Sequence, residues 1–236
     1  MRRTAALFAS LLAVAAPAKD PEPPKPTAHT ERDLQGWTVH VDDRLLAGPD
    51  AGLGRSAIGL LEGQLRVVAL TLPADKVARL RKVPIWLDRT HGTLKPAQYH
   101  PSPDWLAGNG YSRELAKAVH VPDAKYFADA RHQREQPSAL LHELAHAYHD
   151  QVLGFDHAEV KAAWQAFAKD EKTKSVLHVR GDRRAHYART NPMEFFAEMT
   201  ESYFGRNDFF PFNSGELKQD EPAVFELMEK VWGKLP

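Results

Sequence analysis

Apolar positions alternate over short runs in the first half of the chain, and helical spacing, present there too, dominates the second. Residues 37–41 place Trp37, Val39 and Val41 on one side and Thr38 and His40 on the other, which predicts a strand. Residues 58–72 are apolar at helical spacing and stop at Pro73, and 74–82 continue as a second helical stretch. Short apolar runs at 83–87 and 119–121 read as strands, the latter a candidate edge for an extended peptide. Between them, residues 92–111 are rich in Pro and Gly and read as a loop. Its Tyr99, His100 and Trp105 either line a pocket or pack the loop.

From Ser138 onward, Leu141, Leu144, Ala145, Tyr148 and Val152 follow a helical period, with Pro137 suited to the entry and Gly154 to the exit. Residues 158–169 form a further helix with Val160, Trp164 and Phe167 on one side. Residues 176–187 read as a hairpin around Arg180-Gly181-Asp182. That tripeptide also spells an adhesion signal, but Gly-Asp is ordinary turn chemistry. Asn191 and Pro192 open a helix to about residue 203, residues 209–212 read as core, and 224–232 form a last helix. Strands first and helices later is the α+β pattern. No internal repeat is present.

The N-terminus has its own pattern. Arg2 and Arg3 precede an apolar run over 4–16 too short to span a bilayer, and Ala16-Pro17-Ala18 offers small residues for cleavage. Residues 1–18 therefore read as a signal peptide, 19–33 as a Pro-rich disordered linker, and 34–236 as the folded domain. Within that domain, 34–155 form an N-terminal lobe and 156–236 a helical C-terminal lobe. Export to the periplasm or the extracellular space is expected. The chain contains no cysteine, so its 236 residues must be held by a core rather than by disulfides. Lys and Arg equal Asp and Glu at 31 each, and losing Arg2 and Arg3 leaves a slight acidic excess. Nucleic acid, which wants a basic patch, is excluded as a partner. No stable membrane insertion is expected after cleavage, and a monomer is.

The chemistry begins at His142-Glu143-Leu144-Ala145-His146. Histidines four apart share one helical face, so both imidazoles reach a single Zn²⁺ and the carboxylate between them stays beside the open position. The expected cofactor is one Zn²⁺ per chain. Glu143 is the expected general base for a water whose pKa the zinc lowers. His149 lies about 10 Å along the helix from His142, too far to share the ion, and reads as a supporting or solvent-facing residue.

A catalytic zinc needs a third protein ligand. A metzincin would have Gly at position 149 and His at 152, where this chain has His149 and Val152, and a thermolysin-like glutamate would fall at Ala166. Glu159 and Glu171 sit in charged, solvent-facing contexts. Glu194 shares a helical face with Glu198 and is flanked by Phe195, Phe196 and Ala197. With Asn191 as N-cap, however, Glu194 is also at the position where a glutamate closes a capping box. Spacing leaves ligand and cap equally open.

The two motifs together resemble those of the gluzincin zinc metallopeptidases, specifically the catalytic domain of anthrax lethal factor and its relatives. In that group a His-Glu-x-x-His helix is followed by Tyr-x-Arg-Thr-Asn-x-x-Glu-Phe-Phe-Ala-Glu. The matching positions are Tyr187, Arg189, Thr190, Asn191, Glu194, Phe195, Phe196, Ala197 and Glu198. The resemblance covers roughly residues 136 to 204. It implies a zincin-like fold with a small N-terminal mixed sheet, an active-site helix and a helical C-terminal lobe. It further implies His142, His146 and Glu194 as zinc ligands, Glu143 as general base and Tyr187 as a hydrogen-bond donor to the transition-state oxyanion. Glu198 would be a supporting carboxylate that orients a ligating imidazole. The function so implied is hydrolysis of peptide bonds in a peptide or protein substrate. The alternatives are a zinc hydrolase of a non-peptide or cell-wall amide, and a zinc-stabilised binding protein without turnover.

Overall fold

The computed structural model describes residues 22–235, so the signal-peptide reading at 1–18 falls outside the described residues. Regular structure begins earlier than the linker reading over 19–33 allows. Strand β1 (His29–Leu34) pairs antiparallel with β2 (Trp37–Asp42). Gln35 and Gly36 between them have φ of 57° and 86°, the two left-handed residues that a two-residue hairpin turn uses. β1 shows no apolar alternation because it lies at the sheet edge, with Glu31, Arg32 and Asp33 exposed and only Leu34 buried. The folded domain thus starts near residue 29, not 34.

Helix α1 (Ala51–Thr71) begins seven residues before the expected 58 and buries Gly54, Ala57, Leu61, Leu65 and Val68. Gly54 hides that start from a hydrophobicity reading: a Cβ there would lie 1.8 Å from the Leu45 carbonyl oxygen. Helix α2 (Ala74–Leu80) leads into β3 (Ile85–Leu87). The expected loop at 92–111 contains a two-residue strand, β4 (Gln98–Tyr99), and a short helix, α3 (Pro103–Gly108). After β5 (Val119–Val121) come α4 (Ala124–Phe127) and α5 (Ala130–Glu135).

The five-stranded sheet has the order β1-β2-β3-β5-β4, with β2, β3 and β5 parallel and β4 antiparallel to β5. Residues 119–121 are therefore an interior, buried strand, and the edge that the sequence analysis assigned to them belongs to β4. The register aligns Val39, Ile85 and Val119, and likewise Val41, Leu87 and Val121, all in the core. Alternation puts His40, Trp86 and His120 on the opposite face.

The motif helix α6 (Ala139–Tyr148) widens into a π-helical turn over His149–Leu153 and ends at Gly154, φ 81°. Helix α7 (Ala158–Lys169) and the ribbon of β6 (Val176–Leu177) with β7 (Arg183–Arg184) follow. The ribbon turn has Gly181 at φ 88°, while Arg180 pairs with Glu135, so Arg180-Gly181-Asp182 serves as a turn. Helix α8 (Pro192–Phe204) buries every residue from Phe195 to Tyr203, packed among α6, α7, α9 (Ser214–Asp220) and α10 (Pro222–Trp232). One contiguous core joins side chains of both lobes. The architecture is α+β. Among the described residues no helix is long and apolar enough to cross a membrane.

His149 corrects an expectation. It is fully buried against Phe155 and Phe196, and neither ring nitrogen has a hydrogen-bond partner. Burial pushes its pKa down to about 4, and does the same to His100 (about 4) and His186 (about 3). In the unfolded chain these groups titrate near 6.5. Below that pH the unfolded state binds more protons, so stability is full above about 6.5 and is lost as pH falls toward 4. Each imidazole adds a slope of up to about 1.4 kcal/mol per pH unit. Glu198, Glu201 and Asp208, whose pKa values burial raises, work the other way over the same range, so the check is a variant rather than the bare profile. Replacing His149 with Phe is expected to make the melting temperature fall less between pH 6.5 and 4.5 than in wild type, by circular dichroism, and an unchanged fall would contradict a neutral buried imidazole at position 149.

Candidate metal centre

His142 and His146 sit on successive turns of α6, with ring centroids 4.7 Å apart and planes at 82°. The first turn of α8 faces them. Asn191 Oδ1 accepts from the Met193 and Glu194 amides, so the N-cap is filled by the asparagine. The Glu194 carboxylate is turned instead toward the imidazoles, Oε2 lying 3.1 Å from His142 Nε2 and 3.4 Å from His146 Nε2. Ligands about 2.0–2.2 Å from zinc at tetrahedral angles stand roughly 3.3–3.5 Å from one another. The three side chains therefore fit zinc in donor type and in spacing, and their donor atoms all lie within 4.8 Å of one another.

The electrostatics suit such a group. Burial raises Glu194, but the hydrogen bonds from His142 and His146 outweigh it and hold the carboxyl below its usual range. Glu143 points to the same cleft, and its Oε2 accepts the backbone N–H of Tyr99 at 2.7 Å. Burial moves Glu143 upward, with the two imidazoles and the Tyr99 amide pulling the other way. Tyr187 is half exposed on the wall of the same cleft, in a short helical turn before α8. The cleft holds about 580 Å³ and is bounded by β4 on one side and by the β6–β7 ribbon and Phe209 on the other.

One assignment changes. The carboxylate on the far nitrogen of His142 is Glu201, whose Oε1 accepts from Nδ1 at 2.6 Å, whereas Glu198 Oε1 stands 3.8 Å away. Glu198 is instead buried beside Glu201 and Asp208, with Oε2 unpartnered, and burial followed by the Glu201 charge pushes its pKa well up. Glu201 was legible in principle: it follows Glu194 by seven residues, two helical turns on the same face. Replacing Glu201 with Gln is expected to weaken metal binding or activity by roughly 10–100-fold, because such a carboxylate fixes the tautomer and raises ligand basicity. Glu198→Gln is expected to do less. Chelator competition on the two variants checks the ranking, and a larger effect from Glu198→Gln would return the orienting role to Glu198. Glu159 and Glu171 lie at the surface, paired with Lys230 and Lys174.

A second cluster has metal-ligand residue types but different geometry. Asp88 Oδ2 accepts from His91 Nδ1 at 2.6 Å and His120 Nε2 at 2.8 Å, and Oδ1 accepts from His29 Nε2 at 2.7 Å. His120 Nδ1 in turn accepts from His100 Nε2 at 3.2 Å. These carboxylate contacts are about half an ångström shorter than the separation of two ligands on one tetrahedral ion. Three imidazole protons satisfy the carboxylate without an ion. The cluster is a hydrogen-bonded pin that ties β1, β5 and the excursion after β3 together. His100 and Trp105 belong to that excursion and border a smaller cavity of about 300 Å³ beside β4, away from the three ligand candidates. No protein-family model, curated protein or solved structure matches this chain.

Proposed function

We propose that the chain is an exported, zinc-dependent metallopeptidase of the gluzincin type, with a zincin-like fold. The observation that carries the reading is the convergence of His142, His146 and Glu194 at ligand spacing, with Glu143 free beside them at the edge of an open cleft. Bound zinc would act as a Lewis acid and lower the pKa of water at its open position. Glu143 uses one oxygen to hold the Tyr99 amide, which leaves the other to take a proton from the attacking water. The same carboxyl then delivers that proton to the leaving amine, as a general base must for the cycle to close. Tyr187, which lines the same cleft, would donate its phenolic proton as a hydrogen bond to the oxyanion that forms on the carbonyl. The edge of β4 away from β5 carries the Tyr99 carbonyl, which an extended peptide could use as a strand adds to a sheet. Retention of Glu143 and Tyr187 favours turnover over a zinc-stabilised binding protein, because neither is needed to hold metal.

The test is metal analysis of the mature protein followed by incubation with a diverse peptide library and mass spectrometry of the products. One zinc per chain and discrete cleavages are expected. Absence of zinc under replete conditions would sink the site. One zinc without peptide cleavage would move the reading to a non-peptide amide or to binding alone.

A further inference from the structure

Several unusual features of the chain meet at one point beside the cleft, and the proposed chemistry does not by itself use them. The motif helix widens into a π-helical turn just after its last ligand candidate. That turn presents Asp150 and Gln151 toward β4. Lys117, next to β5, holds a left-handed backbone at φ 59°, a conformation that non-glycine residues keep only where surroundings enforce it. Asp150 and Gln151 meet at the phenol of Tyr99, and Lys117 braces both. Its hydroxyl donates to Asp150 Oδ2 at 2.6 Å and accepts from Gln151 Nε2 at 3.0 Å. Gln151 Nε2 also donates to the Lys117 carbonyl at 3.2 Å, and the Lys117 ammonium pairs with Asp150. Burial, then Asp150, raises the phenol pKa, so it stays a donor.

The backbone of the same residue has the other half of the arrangement. His100 N–H donates to Ala118 O and Lys117 N–H donates to His100 O, so the groups of His100 point toward β5. Alternation along a strand turns the Tyr99 amide the opposite way, to the free edge. There it donates to Glu143. Glu143 lies in α6 and Asp150, seven residues on, in the π-helical turn that follows it, and Tyr99 bridges them with its amide at one and its phenol at the other. Two-residue strands make few ladder hydrogen bonds, and β4 would be the easiest strand of the sheet to displace.

We propose that Tyr99 is a positioning residue of the peptidase site: its phenol, locked to Asp150 and Gln151, fixes β4 so that the Tyr99 amide holds the Glu143 carboxylate in working orientation. This rests on the peptidase reading. A displacement near 1 Å at a catalytic group costs about a hundredfold in rate, so the lock matters although the phenol touches no substrate.

The experiment uses the full mature chain, zinc-loaded, as wild type, Tyr99→Phe, Asp150→Asn and the double variant. The substrate is the best-cleaved short peptide from the library. Each single variant is expected to lose about 10–100-fold in kcat with KM and zinc content nearly unchanged. The double variant is expected to be about as impaired as the worse single, because both changes open one lock. Amide hydrogen exchange at residue 99 is the second readout. It is expected to accelerate by at least about tenfold in Tyr99→Phe while Val119 and Val121 keep their protection. Unchanged kcat together with unchanged exchange would overturn the proposal. So would a loss of kcat that tracks lost zinc or general unfolding, since that marks a merely structural tyrosine. Wild-type protein that cleaves no peptide overturns the peptidase reading alone, and exchange at residue 99 then decides whether the lock exists.

Discussion

Glu143→Gln is expected to keep one zinc per chain and to lose hydrolysis by about 10²–10⁴-fold, the range that a positioned general base contributes. The amide preserves the shape of the carboxylate, and its oxygen still accepts the Tyr99 N–H, so β4 and the cleft should stay in place. What it cannot do is take a proton. His142 and His146 belong to the same helix but not to this hydrogen bond, so their approach to Glu194 is left intact. Burial already disfavours the charged form of Glu143, so a neutral isostere should not lower the melting temperature. Steady-state kinetics, metal analysis and thermal melting on one preparation separate the cases. A Gln variant that turns over peptide like wild type would remove Glu143 from the chemistry. A variant that also loses its zinc would mean that the carboxylate helps hold the ion.

The parts of the fold that were legible in the sequence are those where burial repeats over many residues. The alternation of Trp37, Val39 and Val41, the stripe of Leu141, Leu144, Ala145 and Tyr148, and the two imidazoles of α6 all follow from periods of 2 and 3.6. Elements that bury little gave no such signal. β4 is two residues long, β1 is a polar edge strand, and the start of α1 carries Gly54, which allows close approach to Leu45. The interior position of β5 depends on its pairing partners, and three residues cannot encode which strands will flank them. The π-helical turn after α6 was likewise silent: Val152 continues the apolar period in the sequence, but in the structure it is exposed.

The same contrast divides the candidate site. His142, Glu143 and His146 lie within one helix, where spacing alone predicts a shared face. The supporting carboxylate depends on how α8 is rotated against α6, which decides between residues three positions apart. Glu198 and Glu201 were equally available from the sequence, and the packing of the two helices puts Glu201 on His142 Nδ1. Likewise the Asp88 pin draws its histidines from positions 29, 91, 100 and 120, and no local pattern joins residues so far apart.

Glu194→Ala is expected to lower zinc affinity by more than the roughly 10–100-fold that a supporting carboxylate commands, because it removes one of three protein donors. Apo stability should change far less. The first-turn amides of α8 are satisfied by Asn191 Oδ1, so truncating Glu194 leaves the cap in place. Asn191→Ala is the matching control, expected to cost about 1 kcal/mol of stability as a lost N-cap does, with zinc affinity nearly retained. The two variants thus each lose on a different axis, Glu194→Ala on metal affinity by chelator competition and Asn191→Ala on apo melting. A Glu194 that served the helix end would show the reverse: unchanged affinity and a melting loss like that of Asn191→Ala. That outcome would leave only two protein ligands at the cleft. The remaining candidate group would then be His142 with Glu198 and Glu201, which lie 3.8 and 2.6 Å from its Nδ1 and form a set without His146.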